Sequence, residues 1–467
     1  MRIKKEDFIS SRPRRFQKGF HRQMVRLHRY LIKPGMRVLE WGCGKGELLR
    51  AMDPSEGLGI DSNSMAVEDA RAMDNQNKCE YRALDIEKDV LNEKYDHIII
   101  NYLLGYLGDI QKSLENIGKS AHSRTRLHIT SLNTLWLPII RLGKKLNLIS
   151  PQPNNNWLSQ SDIIGILELA GWETVHASTE QLFPFDIPVL NWFFNAFLVK
   201  LPFLNRLGLT IFITARLPQN LSLEYKGIKT SVIVPVRNEA GHIAQALERI
   251  PKLGDATEVI FVEGNSSDDT WDVLEQMCKN YKGELEVRYM KQPGSGKWDA
   301  VSFGFGQATG DILVIQDGDL TAPPEDLPKF HEALVSGKVE FVNGCRLVYP
   351  MEDEAMRFLN LLGNKFFAAL NTYIIGQYCK DSLCGTKMIL KRDYQKLLEF
   401  IKPLKDADPF GDFNLLFGSA MMRLKILDLP VRYRKREYGD TNISRFYHGT
   451  LLLRMTWLGL RVIKFKG

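Results

Sequence analysis

Asp317 and Asp319 follow directly on the apolar run Ile312-Leu313-Val314-Ile315 in the stretch ILVIQDGDLTAPPED. Residues two apart along a strand face the same way, so a D-x-D pair can turn two carboxylates toward one hard cation such as Mg2+ or Mn2+. The pair alone says little, because acidic loops are common and usually solvated. A second strand-then-acid pattern lies upstream, in VLEWGCGKGELL and then GLGIDSNS, with Glu40, Gly42, Gly44, Gly46 and Asp61. Glycines so spaced at a strand end let the backbone come close to a ligand. A Walker A loop is excluded because Lys45 falls inside the glycines, and a dinucleotide fingerprint is one residue short.

These residues need elements to hold them. MRVLEWGCG reads as strand and turn, KGELLRAM as helix, EGLGID as strand, and YDHIII, RTRLHITS and GLTIFITARL as further strands with helices between. Such alternation predicts a mostly parallel, doubly wound α/β sheet. A polar linker is expected at 219–228, closing a first domain of residues 1–218. After it the pattern restarts with KTSVIVPVRNE, TEVIFVEGNSSDD and DILVIQDGD, which predicts a second doubly wound α/β domain over 229–445. Residues 446–467 read as an apolar helix with a basic stripe of Arg454, Arg461 and Lys464.

The whole chain of 467 residues has 44% hydrophobic and 25% charged residues, ordinary for globular domains. A net charge of +7 fits anionic ligands or an anionic membrane surface. The six cysteines form no CxxC pair and no zinc spacing, as suits a reducing compartment. The basic N-terminal stretch has no apolar run of a secretory leader, and no segment has the length of uninterrupted apolar residues that a spanning helix needs. A cytoplasmic protein is expected, peripheral at the inner face of the cell membrane. Basic residues gather in the second half and at the termini with no aromatic-basic groove, so no nucleic-acid partner is expected.

The glycine loop resembles motif I of class I S-adenosylmethionine (SAM)-dependent methyltransferases, and the likeness spans roughly residues 20–217. It implies a Rossmann-like methyltransferase fold with SAM as cofactor. Glu40 would open the loop, Gly42, Gly44 and Gly46 would shape it, and Asp61 would accept the ribose hydroxyls. Asp85 falls where that family often contacts adenine. No acceptor motif accompanies the loop; Tyr102, Tyr106, His122 and His128 are acid–base candidates by residue type alone.

The second half resembles family-2 glycosyltransferases of the GT-A fold, over roughly 229–445. The likeness rests on SVIVPVRNEAGHI, VIFVEGNSSDDT, QPGSGKWDAVSFGFGQATGD, the D-x-D strand and DSLCGTKMILKRDY in that order. It implies a nucleoside diphosphate sugar donor. Pro235, Arg237 and Glu239 would line the nucleotide pocket, with Glu263 and Asp268 toward the base and Lys297 near the diphosphate. Asp317 and Asp319 would bind the donor through Mg2+ or Mn2+. Gly264 replaces a common second Asp. Asp412 sits where many inverting members carry a general base. The segment RYRKREYGDTNISR resembles that of polyprenyl-phosphate glycosyltransferases, with Thr441 and Asn442 replacing Ser and Lys. Arg434 and Arg436 in it would bind phosphate as bidentate forks. A glycan or lipid-phosphate acceptor, with peripheral membrane contact, is implied.

These readings together give a bifunctional enzyme, an inverting metal-dependent glycosyltransferase fused to a SAM-dependent methyltransferase. Two alternatives stand beside it: a glycosyltransferase whose first domain only binds SAM or acts as a scaffold, and a non-catalytic nucleotide sensor.

Overall fold

The computed structural model describes residues 15–145, 156–183, 185, 187–218, 227–349, 358–404, 408, 410–436, 438 and 445–465. Most of the expected linker at 219–228, and Gly439, Asp440, Thr441 and Asn442 of the basic segment, lie outside these residues. The chain falls into two compact units, one of residues 1–218 with 464–467 and the other of residues 219–463.

The first unit holds a seven-stranded sheet, in the order β3-β2-β1-β4-β5-β7-β6. The strands are β1 (Arg37–Trp41), β2 (Glu56–Asp61), β3 (Cys79–Ala83), β4 (Tyr95–Asn101), β5 (Ala121–Leu132), β6 (Glu173–Glu180) and β7 (Thr210–Arg216). β1 is parallel to both β2 and β4, so the order reverses between β1 and β4. β7 runs antiparallel to both of its neighbours, β5 and β6. The central strands are nearly continuous apolar runs because helices cover both faces. Leu39, Ile98, Ile100, Leu127 and Ile213 are fully buried there. Local signals set the helix starts. Asp109 accepts the Lys112 amide at 2.9 Å, and Ser159 and Asp162 form a capping box.

The second unit holds another seven-stranded sheet, in the order β10-β9-β8-β11-β13-β12-β14. Its strands are β8 (Lys229–Val236), β9 (Ala256–Glu263), β10 (Glu286–Lys291), β11 (Ile312–Ile315), β12 (Phe341–Cys345), β13 (Lys387–Leu390) and β14 (Ile426–Pro430). β8 pairs in parallel with β9 and β11, and β13 inserts antiparallel between β11 and β12. Both units are therefore mixed α/β sheets with the doubly wound reversal of strand order. In each, the reversal opens a crevice beyond the strand C-termini, at β1/β4 and at β8/β11.

Near the C-terminus, the helix Arg445–Gly459 packs against the helix Phe358–Ile375. It buries Met455 and Thr456 and exposes Leu453, Arg454 and Trp457, with Arg461 exposed one turn on. Among the described residues no helix is long and apolar enough to cross a membrane.

Candidate active sites

β1 ends at Trp41 and the chain turns through Gly42, Gly44 and Gly46, at φ +75°, +51° and +68°. L side chains rarely adopt that region, so three backbone positions here select glycine. They differ in their surroundings. A Cβ on Gly46 would lie 2.6 Å from the Tyr81 ring and one on Gly42 3.1 Å from Leu103, whereas one on Gly44 would meet nothing within 4 Å. The loop is thus packed at both ends and open at its crest, a cradle with room for a ligand.

Asp61, at the end of β2, shapes this cradle. Its Oδ2 accepts the Gly44 amide at 2.9 Å and its Oδ1 the Asn63 amide at 2.9 Å. Each oxygen keeps a second lone pair, as a ribose contact needs. Glu40 is buried and accepts the Leu49 amide at 3.0 Å. Burial pushes its carboxyl up to about 8, the Leu49 amide opposes this, and Asp61 adds repulsion. Burial thus favours the protonated form of Glu40, and its bond to the Leu49 amide braces the loop from behind. Asp85 lies two residues beyond Ala83, the residue paired with Asp61. Its carboxylate is turned to its own loop, on the Glu87 amide at 3.1 Å and Lys88 at 2.7 Å.

The acid–base candidates scatter. His122 sits at the start of β5 with its Nε2 3.2 Å from Asp96, at the strand end opposite the glycine loop. His128 is buried and stacks on His97. The Tyr102 hydroxyl is 2.6 Å from the Thr210 hydroxyl. Of these four, Tyr106 alone combines a place beyond the C-terminal end of β4 with high exposure.

In the second unit the D-x-D pair is not on a strand. β11 stops at Ile315, and Asp317 and Asp319 lie in a turn in which the Leu320 amide bonds to the Asp317 carbonyl at 3.2 Å. Gly318 presses against the end of β8, where a Cβ would lie 2.8 Å from the Pro235 carbonyl oxygen. The strand-periodicity reason for a shared cation is corrected accordingly: the two carboxylates take different partners. Lys297 approaches Asp317 Oδ1 at 2.5 Å. Asp319 accepts from the Thr321 hydroxyl at 2.9 Å and faces Arg436 at 3.5 Å. Burial pulls the Lys297 ammonium down, but Asp317, with Asp412 and Asp319, outweighs it and holds the pKa above the usual lysine value.

Among the described residues no three His, Cys, Asp or Glu side chains are grouped as a metal cage. A Mg2+-type site does not need one, because that ion takes one or two carboxylates plus water and substrate phosphates. The all-oxygen donor set of Asp317 and Asp319 fits such an ion.

Arg436 bridges Asp319 and Glu239, whose other oxygen lies 2.7 Å from His242 Nδ1. Its guanidinium is thus engaged by carboxylates, not presented free to a phosphate. Arg434 and Arg237 have exposed side chains, and Pro235 is half-buried. Glu263 is buried and accepts the Ser266 amide, and Asp268 takes the Thr270 amide and hydroxyl. Both carboxylates are turned into their own loop.

Asp412 begins the helix Asp412–Met421 and is 7% exposed. Burial raises its pKa against the pull of Lys297 and Lys387. Its Oδ1 has no hydrogen-bond partner among the described residues and lies 3.7 Å from Lys387 Nζ. Gly411, before it, sits at φ +82° against Trp298, the residue after Lys297; a Cβ there would come within 2.2 Å of the indole.

Three participants were not singled out in the sequence. Lys387, at the head of β13, is 1% exposed and donates to Asn343 Oδ1 and the Cys384 carbonyl, both at 2.7 Å. Gly385 leaves the space into which Asp317 and Lys297 fit, since a Cβ there would lie 2.0 Å from the Asp317 carboxylate. Arg346 holds Asp381 through two bonds of 2.7 and 2.9 Å. The available signal was a lone cation opening the apolar strand KMIL.

The comparisons with known proteins match the two parts of the chain separately. Residues 231–398 match the model of glycosyl transferase family 2, and residues 11–177 match a methyltransferase domain. The dolichol-phosphate mannosyltransferase of Pyrococcus furiosus is 35% identical over 248 residues, which cover 51% of this chain and 67% of that protein. An undecaprenyl-phosphate 4-deoxy-4-formamido-L-arabinose transferase of Proteus mirabilis is 27% identical over 220 residues, 46% of this chain and 63% of that one. The chain thus spans roughly two thirds of the length of these curated relatives. Among solved structures, a magnesium protoporphyrin IX methyltransferase from Synechocystis with bound SAH is 19% identical at a TM-score of 0.33, covering 45% of this chain and 90% of that one. The chain belongs to glycosyl transferase family 2 and carries a methyltransferase domain ahead of its glycosyltransferase domain. It is an enzyme of the transferase class.

Proposed function

We propose that the C-terminal unit transfers a sugar, with inversion, from a nucleoside diphosphate sugar to a lipid phosphate of the polyprenyl type. The N-terminal unit binds SAM, which supplies a methyl group for transfer to a glycan or glycolipid. The observation that carries the first part is the cluster of Lys297, Asp317, Asp319, Arg436 and Asp412 beyond the ends of β8 and β11. An acceptor phosphate oxygen attacks the anomeric carbon, the bond from that carbon to the diphosphate oxygen breaks, and the nucleoside diphosphate leaves. Lys297 meets the negative charge that collects on the leaving group. A divalent ion held by Asp317 and Asp319 would neutralise more of it when bound. The phosphate acceptor arrives ionised, so no proton has to be removed.

The acceptors of the two named relatives motivate the lipid assignment. The exposed face of the C-terminal helix, with Leu453 and Trp457 beside Arg454 and Arg461, suits contact with an anionic membrane surface. The test is release of nucleoside diphosphate from a sugar-nucleotide panel, with Mg2+ or Mn2+ and a short polyprenyl phosphate. Asp412→Asn should retain near-normal turnover. A collapse of turnover in that variant would mean a hydroxyl acceptor and Asp412 as general base.

One observation favours a second reading for the first unit. His122 lies at the wrong end of the sheet, while His128 and Tyr102 are engaged by His97 and Thr210. SAM bound in calorimetry and lost in Asp61→Ala, with no methyl transfer to glycan or lipid fractions, would make this domain a SAM-binding module.

A further inference from the structure

The first unit carries an apolar surface that neither site uses. Between β6 and β7 the chain runs through a short helix Pro188–Asn191, the wide turn Trp192–Phe197 and two tight turns to Leu207. Two of its polar side chains, Asn195 and Lys200, are buried. Asn195 bonds to the Phe183 amide at 2.8 Å and the Phe183 carbonyl at 2.6 Å, and Lys200 makes a buried ion pair with Glu180 at 2.5 Å. Its apolar groups point outward: Val189 is 76% exposed, Trp192 64% and Phe203 79%. This reverses the ordinary pattern of a water-facing segment, which hides its apolar stripe.

A second outward-facing apolar segment adjoins it. The helix Leu137–Lys145 exposes Ile139 and Leu142. Its leading turn is tied to the first segment, because Trp136 Nε1 donates to the Leu207 carbonyl at 2.8 Å. Asn133 donates to the carbonyls of Arg206 and Gly208 at 3.2 and 2.8 Å. The two segments are therefore tied together where the turn before Leu137 meets Arg206–Gly208. Phe203 sits at φ +69°, a strained conformation for a bulky side chain, and that backbone holds its ring out into solvent.

Charge identifies the occupant. Residues 131–145 and 187–217 contain no Asp or Glu, while Arg141, Lys145 and Arg206 are exposed on the same segments. A protein partner with mixed surface charge would find no acidic group on the described residues of these two segments to pair with its cations. Aromatic and aliphatic side chains among cations suit the headgroup region of an anionic bilayer. We propose that this face docks the methyltransferase unit onto an anionic lipid surface, as a membrane contact of its own. The inference does not depend on either transfer reaction, and it involves a different element from the C-terminal helix.

The test is flotation of the full chain with vesicles of phosphatidylcholine and phosphatidylglycerol, against pure phosphatidylcholine. The wild type should float with the anionic vesicles. Trp192→Ser with Phe203→Ser should weaken that binding by about tenfold or more, with circular dichroism unchanged. Flotation of this double variant equal to wild type, together with loss in Leu453→Ser/Trp457→Ser, would assign the contact to the other unit and overturn the inference. Absence of wild-type flotation would overturn it too. So would a vesicle-free dimer that the Trp192/Phe203 variant dissolves, which would make the face a contact between copies of the chain.

Discussion

The two crevices sit at equivalent places in their sheets, yet they are built from different material. At β1/β4 the cradle is backbone: three left-handed glycines and amides ordered by Asp61. Glu40, whose carboxyl burial raises to about 8, stands behind the loop. At β8/β11 the walls are charged side chains, and carboxylates meet cations in the pairs Lys297–Asp317, Arg436–Asp319 and Arg436–Glu239. The first suits a ligand recognised by shape and hydrogen bonds, the second a ligand whose charge changes hands during the reaction. The strand reversal supplies a place in both units, and what the ensuing turn contains decides the chemistry.

If that contrast is right, side-chain deletion should hurt the second site most. Asp319→Ala removes a carboxylate beside Arg436 and should lower nucleoside diphosphate release by about 10²–10³-fold, the scale of one lost electrostatic contact in an active site. A change below threefold, measured with Mn2+ present, would break the comparison at its stronger end. In the first site the damage should come from adding a Cβ. Gly44→Ala should cost about 1–2 kcal/mol for the left-handed backbone alone. Gly46→Ala should cost about 1–3 kcal/mol more, because the methyl meets Tyr81. Thermal unfolding of the two variants measures the difference, and equal losses would remove the distinction between packed and open glycines.

A third effect is a pH slope. The Glu40 pKa is raised from 4.5 to about 8, so its contribution to stability is fully present below 4.5 and is lost as pH rises through 8. The slope cannot exceed about 1.4 kcal/mol per pH unit for one proton. Glu40→Gln should flatten it while leaving SAM affinity at pH 7 nearly unchanged. Denaturant titrations at pH 5.5 and 7.5 compare the two chains.

Much of the first cradle was legible in the sequence, because a left-handed backbone restricts its own residue type and Gly42, Gly44 and Gly46 announce themselves. The strands were legible as apolar runs. The D-x-D geometry was not, because β11 ends two residues before Asp317 and the turn through Gly318 replaces strand periodicity. Lys387, Gly385 and Arg346 were hidden for another reason. They reach the site through the antiparallel insertion of β13 between β11 and β12, a pairing that no local pattern encodes.

The fit of Gly411 against Trp298 locks together the starts of two helices that are distant along the chain. Lys297 stands on one of them and Asp412 on the other. A shift of either helix start would therefore be felt at both the Lys297 ammonium and the Asp412 carboxyl. A substitution aimed at one should be scored on both substrates.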